Sequence, residues 1–220
     1  IMGATGAGKS SFINHVLLKG IQEAEVGHGQ ESCTADVLPM PFQLDDFKGS
    51  IIDTPGFDDT HLTDTQILEK IANWMEATYR VGIKITGILY LRDITQARMS
   101  GTALKNLSMF RKLCGSESLK NVVIVTTKWD AVSNETGEMR EKELMSKFLQ
   151  PMLTMGAQQA RHDNTLISAQ EVLRKVLGNT GRTLKLQSEL VDENKKLGET
   201  EAGTAVGEDI EKLRVKHETE

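Results

Sequence analysis

Eight residues near the start of the chain constrain it most: Gly3-Ala4-Thr5-Gly6-Ala7-Gly8-Lys9-Ser10. They fit G-x-x-x-x-G-K-[ST], the pattern of a loop that cradles phosphate. Each fixed position has a chemical reason. The glycines allow backbone angles that aim successive N–H groups into a concave nest for phosphate oxygens. A helix following the loop adds the positive end of its dipole. Lys9 is suited to bridge β- and γ-phosphates, and the Ser10 hydroxyl to ligate Mg²⁺. Ser11 belongs to the same nucleotide-binding stretch. Phe12, Ile13, Val16 and Leu17 follow at helical spacing, which argues against an isolated glycine-rich turn.

A chain of 220 residues with 39% hydrophobic content can bury an ordinary core. Its net charge of −5 gives no basic footprint for nucleic acid. Cys33 and Cys114 have neither disulfide-framework nor metal spacing, so a reducing, cytoplasmic setting is expected. No apolar run approaches the roughly 18 residues that span a bilayer. A membrane anchor is not encoded in this stretch, although peripheral association with a membrane remains compatible with it. The phosphate loop begins almost at once, at Ile1-Met2, whereas such loops follow a buried strand. The expectation is a fragment whose first strand is truncated.

Residues 22–36 are polar and glycine-punctuated, and predict a loop. In a GTPase this loop would carry a threonine to Mg²⁺ and the γ-phosphate. Thr34 is the candidate, Ser32 its rival, and His28 reads as a solvated loop residue. Residues 37–47 and 49–53 predict two strands joined around Asp45-Asp46. The second delivers Asp53-Thr54-Pro55-Gly56, a D-x-x-G signal. Asp53 stands where a carboxylate holds Mg²⁺ through water, and Gly56 offers an N–H to the γ-phosphate. Phe57 occupies the position where some GTPases place a water-orienting glutamine. Phenylalanine cannot polarise water, so slow or assisted hydrolysis is expected.

Ile67, Leu68, Ile71, Ala72 and Met75 predict a helix, with Trp74 extending its buried face. Residues 84–91 predict a central strand, 92–102 a polar loop, and Leu104, Leu107, Phe110 and Leu113 a further helix ended by Gly115. Val122-Val123-Ile124-Val125 predicts a strand of a parallel sheet. At its end stands Thr127-Lys128-Trp129-Asp130, which fits [NT]-K-x-D. The Asp130 carboxylate would accept from guanine N1–H and the 2-amino group, while the Lys128 stem packs along the base. Adenine presents an acceptor at N1 and lacks that amine, so such a site can discriminate by about 10⁴ or more. Residues 138–149 predict a helix with a boundary at Pro151. Ser168 and Glu171 predict a capping box before a helix bearing Val172, Leu173, Val176 and Leu177. Asn164, just upstream, is a candidate to touch the base. From residue 179 the chain turns polar and lacks aromatics, with seven basic against ten acidic residues. Leu186, Leu190 and Leu197 predict a solvated or docked helix rather than a coiled coil.

Met2 to Asn14, Ser32-Cys33-Thr34, Asp53 to Thr60 and Arg161-His162-Asp163-Asn164-Thr165 together resemble a group of fungal P-loop GTPases. That group is similar to the immunity-associated GTPases, the chloroplast import-receptor GTPases and septins. The resemblance spans about residues 1–178. It implies a Ras-like α/β G domain, with a mostly parallel central sheet and helices on both faces, followed by a helical extension over 179–220. It implies GTP or GDP as ligand, Mg²⁺ as cofactor, and homodimerisation of G domains across the nucleotide. The import-receptor GTPases carry an arginine in the loop that here contains Arg98, which becomes a catalytic candidate beside Lys9 and Thr34, with Arg92 as an alternative donor. Two functions fit: a slowly hydrolysing GTP switch, or a nucleotide-bound assembly scaffold with little turnover. An ATP-using kinase or ATPase is disfavoured by Thr127-Lys128-Trp129-Asp130.

Overall fold

A computed structural model describes residues 1–17 and 36–207. Its centre is a parallel four-stranded sheet, ordered β1 (Met2–Gly3), β4 (Ile88–Asp93), β5 (Val122–Thr127) and β6 (Gln158–Arg161). β2 (Leu38–Leu44) and β3 (Phe47–Asp53) form an antiparallel hairpin turning at Asp45-Asp46. The hairpin is tied to the sheet by Ile1 N donating to Ile52 O at 2.9 Å and by a parallel bridge between Ala4 and Phe57.

Strand alternation divides the core in two, because successive side chains leave a strand on opposite faces. Leu89, Leu91, Val123 and Val125 meet Phe12, Ile13 and Val16 of α1 (Lys9–Val16) and Ala169, Val172, Leu173 and Val176 of α6 (Leu166–Leu177). Ile88, Tyr90, Val122 and Ile124 meet Ile67, Leu68, Ile71, Ala72 and Met75 of α2 (Asp64–Arg80), and Leu107, Phe110 and Leu113 of α3 (Gly101–Cys114). This is the Ras-like arrangement expected from the sequence. Thr63 opens α2 with a full capping box, and Gly115, at φ 72°, closes α3.

Several local expectations require correction. The strand predicted over 84–91 runs instead from Ile88 to Asp93, so two polar residues belong to it. Leu104 of α3 is exposed rather than core-facing. The helix predicted from 138 begins at Asn134, capped by Ser133, as α4 (Asn134–Glu143). It does not stop at Pro151. A π-helical turn over Leu144–Leu149 leads into α5 (Gln150–Thr154), which has the proline in its first turn. The wider turn makes room for the proline ring, and a helix start is where the missing N–H costs least. The N-cap of α6 is Thr165, whose hydroxyl accepts from Ser168 N at 3.2 Å; Ser168 itself is buried inside the first turn.

The described part of the polar segment, residues 179–207, docks. α7 (Lys185–Val191) packs against α2 and α3, burying Leu186 and Leu190. Gln187 donates to Met75 O at 3.3 Å, and Tyr79 donates to Asp192 at 3.0 Å. Residues 201–207 form another helix, which buries Ala202 and Val206 in the same core. Among the described residues no helix is long and apolar enough to cross a membrane.

Candidate functional site

The C-terminal ends of β1, β3, β4, β5 and β6 carry the motif-bearing loops, the edge at which α/β sheets gather ligand sites. The first loop runs from Gly3 into α1. Gly6 and Gly8 adopt φ of 74° and 89°, a left-handed conformation that side chains resist. Lys9 is buried, and its Nζ donates to Gly3 O at 3.3 Å and Ala4 O at 3.1 Å. Burial pushes this ammonium down to about 8 from 10.5, against the opposing pull of Asp53 and Asp59. An oxyanion placed beside Lys9 would restore the charged form.

The D-x-x-G loop lies directly on the phosphate loop. Thr5 N donates to Phe57 O at 2.8 Å, Phe57 N to Gly3 O at 3.2 Å, and Thr5 Oγ1 to Gly56 O at 3.3 Å. A side chain at Gly56 has no room: its Cβ would stand 2.6 Å from Thr5 Oγ1 and 2.7 Å from Thr5 Cα. Ser10 Oγ donates to Asp53 Oδ2 at 3.2 Å, with Asp53 only 2% exposed. These two residues come from the first and second motifs, 43 positions apart. Hydroxyl and carboxylate oxygens together are the hard donors that Mg²⁺ prefers, so the residues present fit that ion. Phe57 is fully buried in the core on the α2 side of the sheet. Thr34, with Ser32 and His28, lies outside the described residues.

The Thr127-Lys128-Trp129-Asp130 stretch supplies a structural tie and an exposed acceptor. Thr127 is buried and donates to Ala7 O at 2.9 Å, fastening the phosphate loop to β5. Lys128 takes a left-handed φ of 60° and pairs with Asp93 at 2.8 Å. Burial raises the Asp93 carboxyl, but hydrogen bonds from Lys128 and Thr95 outweigh it and hold the group below the ordinary carboxylate range. Asp93 had no motif to mark it; only its position opposite Thr127 in the sheet register identifies it. Asp130 is exposed in the short 3₁₀ turn Trp129–Ala131.

Asn164 stands in the loop after β6 with φ 66°, exposed, beside Asp163 and Thr165. His162, which the sequence did not single out, is buried under this loop. Its Nδ1 lies 2.8 Å from Ser168 Oγ, and its ring meets Phe12 edge-on at 5.0 Å. Burial pushes its imidazole down to about 4, so it is neutral at physiological pH. Arg98 is exposed in the loop after β4. Its carbonyl accepts from Arg92 Nη2 at 3.2 Å, and the two residues share with Arg140 the lining of a small cleft.

Residues 1–128 match the model of a family described as 50S ribosome-binding GTPases. The chain is 33% identical, over 129 residues and 58% of its length, to GTP-binding protein A of Dictyostelium discoideum, and spans 27% of that protein. Its fold is similar to Toc33 from Arabidopsis thaliana in complex with GDP and Mg²⁺, with TM-score 0.56 and 21% identity over 74% of this chain and 69% of that one. A second similar structure comes from the chloroplast translocon components atToc33 and psToc159, whose dimerization is important for their GTPase activity. Its TM-score is 0.64 at 19% identity, with 83% of each chain covered. Three motifs in order, at the C-terminal ends of their strands, agree with the family match: the chain belongs to the 50S ribosome-binding GTPase family and is a P-loop, GTP-binding G domain.

Proposed function

We propose that this chain binds GTP with Mg²⁺, hydrolyses it slowly, and acts as a molecular switch whose G domains pair across the nucleotide. The observation that carries the reading is the joining of three distant motifs: Ser10 to Asp53 at 3.2 Å and Thr127 to Ala7 at 2.9 Å. Residues 3–11 with Gly56 cradle the phosphates, Lys9 neutralises their charge, and Asp130, with Lys128 and Asn164, receives the base. Thr127 contributes by holding the loop rather than by touching the ligand. Ser10, Thr34 and Asp53 would hold Mg²⁺, which would supply further charge neutralisation at the phosphates. Residues 1–178 form the nucleotide-binding unit, with α7 of the extension braced on α2.

Burial of Phe57 supports slow turnover, since no glutamine stands there to orient water. An added cation from a second copy then becomes useful, and exposed Arg98 is the candidate donor. The Toc33 and Toc159 neighbours favour such pairing by analogy of fold. The same Phe57 favours the second reading, an assembly scaffold with little turnover. Single-turnover GTP hydrolysis at several protein concentrations separates the two. A switch of this kind gives turnover per molecule that rises with concentration and a flattened rise in Arg98→Ala. A scaffold gives negligible turnover throughout. Turnover independent of concentration, where dimers are shown to form, removes the pairing mechanism.

A further inference from the structure

Asp130 is held in place only indirectly. Among the described residues, no hydrogen bond or ion pair restrains its carboxylate, so its aim depends on the turn that carries it. The neighbouring residue, Trp129, is the fixed part of that turn. Its Nε1 donates to Thr126 O at 3.2 Å and lies 3.0 Å from Thr126 Oγ1. The Arg161 guanidinium lies over the indole with Cζ 4.1 Å from the ring centre. Gly137 of α4 closes against the same ring: a Cβ there would approach Trp129 to 2.6 Å.

Arg161 is itself anchored. Its Nε donates to both Glu141 oxygens, at 3.1 and 3.0 Å, and Glu138 stands 3.7 Å away. The Glu141 side chain is only 12% exposed and also accepts from Thr126 Oγ1 at 3.2 Å. Thr126 and Arg161 are register partners across β5 and β6. The contacts therefore close a ring from Thr126 to Glu141, to Arg161, to Trp129 and back to Thr126. A planar guanidinium can fork a carboxylate and stack on an indole together.

We infer that Arg161, anchored by Glu141 and stacked on Trp129, is a positioning residue that sets guanine specificity by fixing the turn from which Asp130 reads the base. This rests on the reading of Asp130 as the guanine acceptor. Two hydrogen bonds to one carboxylate demand a fixed orientation. A turn released from Trp129 must order itself on binding, and part of the bidentate match is lost. Inosine triphosphate lacks the 2-amino group, so it loses less than GTP when the carboxylate drifts. The preference for GTP over ITP therefore reports the clamp, whereas a brace that merely joins α4 to β6 would alter thermal stability and leave that preference alone.

The experiment measures equilibrium affinity for GTP, ITP and ATP, with thermal stability alongside, in the parent and in Arg161→Gln, Arg161→Lys and Glu141→Gln. The parent should prefer GTP to ITP by more than about tenfold, the worth of one charge-assisted hydrogen bond. Arg161→Gln should narrow that preference by about fivefold, in line with a lost cation–π contact. Arg161→Lys should recover part of it, because charge is kept while the planar fork is not. If Arg161→Gln does not fold, Glu141→Gln, which keeps the volume and the bond from Thr126, is judged by the same ratio. A ratio equal to the parent's, even with weaker affinity for both nucleotides, overturns the clamp. A parent that binds GTP and ITP alike overturns the reading of Asp130 instead.

Discussion

Lys9 should make the chain respond to alkaline pH in two opposite ways. Burial holds its ammonium at about 8, against 10.5 when free. That gap corresponds to ~3 kcal/mol of penalty on the charged form in the folded protein. For folding the sign is as follows. Between about 8 and 10.5 the unfolded chain binds a proton at Lys9 that the folded chain does not. Stability contributed at this position is therefore full above 10.5, declines as pH falls, and is lost below about 8. For nucleotide the sign reverses. Phosphate oxygens favour the ammonium, so affinity is constant below about 8 and falls by about tenfold per pH unit above it, until the bound ammonium also deprotonates. The assay is urea denaturation of the parent and Lys9→Met across pH 7 to 10.5, read as the difference between the two proteins so that other lysines cancel. The difference should change by ~3 kcal/mol in favour of the parent as pH rises. Parallel curves with a constant offset would refute the argument, because Lys9 would then titrate as an exposed lysine.

Other variants separate the parts of the site. Asp130→Asn should weaken GTP by about 1.5–3 kcal/mol for each charge-assisted bond lost. The same change should improve binding of xanthosine triphosphate, whose extra carbonyl the amide can meet; a competition titration reads both. Thr127→Val removes the buried donor to Ala7 O and should cost about 1–3 kcal/mol of stability in denaturant melts, with nucleotide affinity falling as the phosphate loop loosens. Gly56→Ala should weaken binding of GTP more than GDP, because its Cβ would force the D-x-x-G loop away from Thr5. Equal losses for the two nucleotides would count against Gly56 as a γ-phosphate contact.

The motifs were legible because their spacing is fixed by ligand geometry, and the strands that deliver them are short apolar runs. β5 announces itself as a continuous apolar run and the helices α2 and α3 by periodicity, and Gly115 marks its own stop. What escaped the sequence was polar or tertiary. β6 reads Gln-Gln-Ala-Arg and carries no apolar run, since an edge strand can leave its side chains in water. Pro151 looked like a terminator, but a π-turn upstream gave it a helix start to occupy. Thr165 and Ser168 both suit an N-cap, and only the bond from Ser168 N to Thr165 distinguishes them. The Thr127 tie to the phosphate loop spans 120 residues, and the clamp on Trp129 unites β5, α4 and β6. No local pattern encodes such contacts. The polar extension beyond 178 contains few apolar residues, yet Leu184, Leu186, Leu190, Ala202 and Val206 reach the core.

The most direct measurement is calorimetric titration of the purified protein with GTP and with ATP, each with and without Mg²⁺. The site described here predicts GTP favoured over ATP by about 10⁴ or more, the preference of a pocket built on a polar match to the base. It also predicts that Mg²⁺ strengthens binding of GTP and that Ser10→Ala removes this strengthening. Equal affinity for GTP and ATP, or GTP binding indifferent to both Mg²⁺ and Ser10, would contradict it.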